Sequence, residues 1–110
     1  MFTERRHSAR VAILGRLHGQ AIALDVPVKV QDLSLGGMAI ETPVPFPVGA
    51  EQDFGLTLGD DSTVLLKGRI ARCLDASREG RPLFRIGVEF IDDEEAAEDD
   101  GVGRILERLD

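Results

Sequence analysis

Tryptophan and tyrosine are absent from this 110-residue sequence, phenylalanine occurs five times and cysteine once. A core must therefore be built from Val, Ile and Leu, and aromatic platforms for stacking single-stranded nucleic acid are scarce. The single cysteine, Cys73, excludes an intrachain disulfide and a zinc cluster of thiolates. It falls in a strand-like pattern and reads as a small packed residue, not a nucleophile. No apolar run approaches the roughly 20 residues of a membrane-spanning helix. Nor is there a charged start followed by an apolar stretch and a small-residue cleavage site. The expectation is a cytoplasmic protein with no membrane insertion.

Positive charge is also in short supply, since the formal net charge is -7, but the deficit is unevenly distributed. Residues 1–40 carry five basic and three acidic side chains, residues 41–91 six and eight, and residues 92–110 two and nine. The acidity belongs to the last segment, where seven of the nine residues from Asp92 to Asp100 are acidic. The N-terminus is locally basic, with Arg5, Arg6 and Arg10 against Glu4. An extended basic surface for DNA or RNA is missing, whereas a small cationic site is compatible with this distribution.

The apolar residues that are present alternate. Val26, Val28 and Val30 are interleaved with Pro27, Lys29 and Gln31, which is the period of a half-buried strand, and Pro27 requires a free edge or a bulge. Short apolar runs from Val11 to Leu17 and from Ala21 to Leu24 precede it, and Met38 to Thr42 is β-compatible. Pro43, Pro45 and Pro47 make an extended, non-helical loop. Phe54, Leu56 and Leu58, then a turn at Gly59 to Ser62, then Val64, Leu66, Gly68 and Ile70 predict a hairpin. After a polar loop from Asp75 to Pro82, Leu83 to Ile91 is a last strand with Phe84, Ile86, Val88 and Phe90 on one face. About six short strands with frequent turns indicate an all-β antiparallel barrel or sandwich. Beyond them Val102, Ile105, Leu106 and Leu109 form one stripe of a short amphipathic helix. The predicted organisation is an arginine arm at 1–10, a β-domain at 11–91, and an acidic segment with a C-terminal α-helix at 92–110.

Two stretches carry chemistry. Arg5-Arg6-His7-Ser8-Ala9-Arg10 offers planar forks of donors that match phosphate oxygens and the O6/N7 edge of guanine. Asp32-Leu33-Ser34-Leu35-Gly36-Gly37 offers a carboxylate that accepts from the guanine N–H groups, a hydroxyl, and glycines that let backbone approach a ligand. Taken alone, the first stretch reads as a disordered basic terminus making surface ion pairs and the second, Asp32 to Gly37, as an Asx- or Ser-capped turn that interrupts the strand pattern. Other constellations lack the required spacing. His7 and His18 form no metal-ligand cluster, and Asp60-Asp61 and the acidic run lack the alternation of a calcium loop. Ser34, His7 and Asp32 lie in no nucleophile elbow. No enzyme activity, metal or cofactor is expected.

With both stretches in this order, the chain resembles the PilZ domain, a bacterial receptor module for the second messenger cyclic di-GMP. Arg5-Arg6, three residues and Arg10 match the family's arginine motif, and Asp32, Ser34 and Gly37 match its second motif. Gly87-Val88-Glu89-Phe90 is similar to its final barrel strand. The resemblance implies a six-stranded antiparallel β-barrel with a short C-terminal α-helix and an arginine arm folding over a nucleotide. In that reading Arg6 and Arg10 grip phosphate and guanine with Arg5 assisting. Asp32 accepts from guanine, Ser34 adds a hydroxyl contact, and Gly36 and Gly37 keep the turn tight and open. The expected function is a cyclic di-GMP receptor that reorders its arm and signals to a partner protein. The alternative is an adaptor of the same fold with little nucleotide affinity, acting through its acidic segment.

Overall fold

Val28 and Val30 are buried while Pro27 and Lys29 face outward, so the alternation read from the sequence is the alternation of a barrel wall. In the computed structural model, which describes residues 11–59 and 61–91, six strands close on themselves. They are β1 (Val11–Ala21), β2 (Val26–Leu33), β3 (Gly37–Thr42), β4 (Glu51–Thr57), β5 (Thr63–Asp75) and β6 (Phe84–Phe90). The order around the barrel is β1-β2-β3-β6-β5-β4, and every neighbouring pair is antiparallel. Closure comes from His18 to Ala21 of β1 pairing with Phe54 to Thr57 of β4, which leaves no sheet edge between the first and fourth strands. The expected arm at 1–10 and the helix within 92–110 lie outside the described residues.

The interior is aliphatic with two phenylalanines. Val28, Val30, Leu33, Met38, Ile40, Leu56, Val64, Ile70, Ile86 and Val88 fill it from all sides. Phe46, in the proline-rich connection between β3 and β4, turns inward and stacks on Phe54 with ring centroids 6.5 Å apart and planes 9° from parallel. That connection is non-helical, as three prolines require, with a bend at Pro43-Val44 and a turn at Val48-Gly49, and it contributes a core residue. Cys73 is partly buried and packs against the core.

Local departures from the sequence reading have plain causes. The stretch from Ala21 to Leu24 does not continue as strand: β1 ends at Ala21, and Ile22–Leu24 is one 3-10 turn closed by Asp25 in the left-handed region, φ 55°. Asp25 tolerates this conformation better than a branched residue would, and Gln20 Nε2 donates to its Oδ1 at 2.9 Å. Pro27 does have its free edge inside a closed barrel. It pairs with Gln20 of β1, while pairing of β2 with β3 begins only at Lys29 and Glu41. Asp32 is not the first residue of a turn, because β2 runs through Leu33.

Candidate functional site

Strand phase would send Asp32 into the barrel. Residues 28 and 30 point inward, and a continued period of two would place a carboxylate among Leu33, Met38 and Ile40. A bulge prevents this. Val30 pairs with Ile40 but Asp32 pairs with Ala39, so Gln31 is an extra residue, the phase reverses, and Leu33 takes the buried position. Asp32 emerges half-buried on the outer wall.

The turn that follows is built by Ser34. Its backbone N–H donates to the Gly37 carbonyl at 2.9 Å and its buried hydroxyl donates to the same oxygen at 3.3 Å. The Gly36 N–H in turn donates to Ser34 Oγ at 3.2 Å. The hydroxyl is thus tied into the turn that it helps to hold, at the edge of the site. The two glycines also differ. A Cβ on Gly37 would overlap the carbonyl oxygen of Val88 on β6, so close strand packing excludes any side chain there. A Cβ on Gly36 would meet nothing within 4 Å, and its φ is not positive. Gly37 is thus required by the close approach of β6, and Gly36 leaves open space.

Above this turn lies a depression of about 810 Å³ lined by Asp32, Ser34, Gly36 and Gly37 together with residues of β3, β5 and β6. That volume falls within the roughly 300–1,000 Å³ typical of small-molecule sites. Its floor is one rung of the barrel: Asp32 pairs with Ala39, Ala39 with Gly87, and Gly87 with Arg72. Two small residues at the centre make a flat surface with an acidic residue at one end and a basic residue at the other. Glu89 stands on the rim, where Arg69 Nη1 lies 4.0 Å from its carboxylate.

The sequence motifs supplied Asp32, Ser34, Gly36 and Gly37, and the fold brings all four together. Arg5, Arg6 and Arg10 lie outside the described residues, but the strand that follows them starts beside the depression, with Val11 paired to Leu33. Ala39, Gly87 and Arg72 were missed. The available signal was a charged residue in an inward phase, since Arg72 follows Ile70 in the alternation of β5 as Asp32 follows Val30 in that of β2.

A closed antiparallel barrel with an open depression over four strands defines a small β-barrel domain with a surface site. The PilZ domain family model matches residues 4–108, and the chain belongs to that family. No curated protein matches the sequence. Among solved structures, the chain is similar to the PilZ domain of YcgR from Escherichia coli with c-di-GMP. The TM-score is 0.68 and the identity 17%, with 96% of this chain and 92% of that one covered. At this identity the likeness is one of fold.

Proposed function

We propose that this protein is a non-enzymatic receptor for cyclic di-GMP, with the depression over Asp32, Ala39 and Gly87 as the fixed half of the site and residues 1–10 as the other. The observation that carries the reading is the pairing of Ala12 with Asp32. Two residues of chain span at most about 7 Å, so the chain connects Arg10 within that reach of the strand partner of Asp32, a carboxylate that accepts from guanine N–H groups. Asp32 then reads the base, and Arg5, Arg6 and Arg10 hold the phosphates and stack on guanine. Family membership supports the ligand, and the YcgR domain of the same fold has c-di-GMP in its structure. Ordering of the arm by the ligand changes the surface presented to a partner protein.

Calorimetric titration with cyclic di-GMP tests this, with an expected dissociation constant in the low micromolar range or below and weakening by salt. Arg10→Ala should cost about 1.5–3 kcal/mol for each charge-assisted bond lost. An absence of heat, or an unaffected Arg10→Ala variant, refutes the reading.

The second reading, an adaptor working through the acidic segment, draws on the seven acidic residues from Asp92 to Asp100. Truncation after Ile91 separates the two. The Ile91 N–H donates to the Lys67 carbonyl at 3.0 Å, so this cut keeps the last described tie between β6 and β5. Nucleotide affinity retained by the truncated chain favours the receptor, and a partner lost on truncation regardless of nucleotide favours the adaptor.

A further inference from the structure

On β5, Val64, Gly68 and Ile70 are buried and Leu65, Lys67 and Arg69 are exposed. Continued by two, this phase would put the Arg72 guanidinium inside an aliphatic barrel, where an unpaired charge is untenable. Ile70 instead pairs with Val88 and Arg72 with Gly87, so Ala71 is an extra residue. The bulge reverses the phase: Cys73 turns toward the core and Arg72 emerges on the outer wall. This is the same device that turns Asp32 outward on β2, and both operate on the same rung.

The direction of the side chain adds a second observation. An ideal Cβ on Gly87 would stand 3.5 Å from Arg72 Nε and 3.7 Å from Nη2, so the guanidinium lies along the floor above Gly87, in the space that glycine leaves. Its neighbours in the sheet are engaged elsewhere. Arg69 Nη2 lies 3.4 Å from Glu51 and Arg85 Nε lies 3.3 Å from Glu41. Among the described residues the Arg72 guanidinium has no ion-pair partner.

We propose that Arg72 is a ligand-binding residue of this site, the barrel's own cation, fixed opposite Asp32. With strands about 4.8 Å apart, the two Cα atoms are separated by roughly 14 Å along the rung, with only Ala39 and Gly87 between them. A carboxylate that only accepts and a guanidinium that only donates select a flat ligand with a donor edge at one end and an acceptor group at the other. For a cyclic dinucleotide the acceptor is a phosphate oxygen or the O6/N7 edge of a guanine. This assignment rests on the receptor reading above and adds to it a contact that does not depend on the arm.

The test is a cyclic di-GMP titration of the full chain, Arg72→Gln, Arg72→Lys and Arg78→Gln. Arg78, in the 76–83 loop outside the depression, controls for general loss of charge. Arg72→Gln is expected to weaken binding about tenfold or more, with a thermal melt unchanged because the side chain is exposed. Arg78→Gln should leave affinity within twofold or so of the unaltered chain, as expected for a residue making no ligand contact. In Arg72→Lys, recovered affinity assigns the contact to phosphate, and continued loss assigns it to the guanine edge, where the planar fork is needed. Unchanged affinity in Arg72→Gln, or equal losses in Arg72→Gln and Arg78→Gln, overturns the proposal. Failure of the unaltered chain to bind overturns the receptor reading and this assignment with it.

Discussion

Gly36 and Gly37 are adjacent, both line the depression, and respond oppositely to an added methyl group. In Gly37→Ala the new Cβ falls well inside the 3.0 Å that real Cβ contacts keep from neighbouring atoms, and the atom it meets is a backbone oxygen, that of Val88. Backbone cannot rotate away as a side chain does, so β3 and β6 must separate where Gly37 pairs with Glu89. The bond from the Phe90 N–H to the Gly36 carbonyl, 2.9 Å, sits at the same place. Overpacking strain of about 1–3 kcal/mol and one or two weakened hydrogen bonds at about 1 kcal/mol each sum to roughly 2–5 kcal/mol. For a domain of this size each kcal/mol lowers Tm by about 4–8 °C. Gly37→Ala should therefore melt at least about 8 °C below the unaltered protein, whereas Gly36→Ala, with open space around its methyl, should stay within about 0.5 kcal/mol. Parallel melts followed by circular dichroism, with urea titrations to confirm the free energies, make the comparison. Equal stabilities for the two variants would refute the close β3–β6 approach on which the site geometry depends.

Phe46→Ala removes a buried ring and its stack on Phe54, so urea unfolding should show a loss of about 3–5 kcal/mol, a large effect for a residue between prolines. The Ser77 N–H donates to Asp75 Oδ1 at 2.9 Å, and hydrogen bonds from the Ser77 side chain and backbone hold the Asp75 carboxyl below its ordinary 3.8. The ionised form is the one favoured by folding. Its contribution is present above the unfolded-state value and fades as pH falls through the lower folded value. A carbon-detected titration should place the Asp75 midpoint below 3.8, with the Ser77 amide shift following the same curve.

The strands were legible because most of the wall obeys one rule, apolar inward and polar outward, and the Gly59 to Ser62 turn announces its hairpin. The rule failed where an extra residue reversed it. In the sequence Asp32 has the look of a turn opening, because a carboxylate in phase with Val26, Val28 and Val30 resembles the end of a strand. Arg72 was passed over because it follows Ile70 in the inward phase, and only the pairing shows that Ala71 is the extra residue. Phe46 is hidden by its prolines, which exclude a helix but carry no information about which way an intervening side chain turns. The roles of the two glycines depend on how near β6 lies, a tertiary fact with no local signature. Composition and motif order thus located one wall of the site, and the bulges explain why its floor joins residues from four strands.

A backbone amide map of the barrel during titration with cyclic di-GMP tests the central claim most directly. The largest shifts are expected along the rung of Asp32, Ala39, Gly87 and Arg72 and in the Ser34 to Gly37 turn, saturating together with one affinity. An absence of shifts, or shifts confined to the opposite loop at Ser77 to Arg81, would contradict the account.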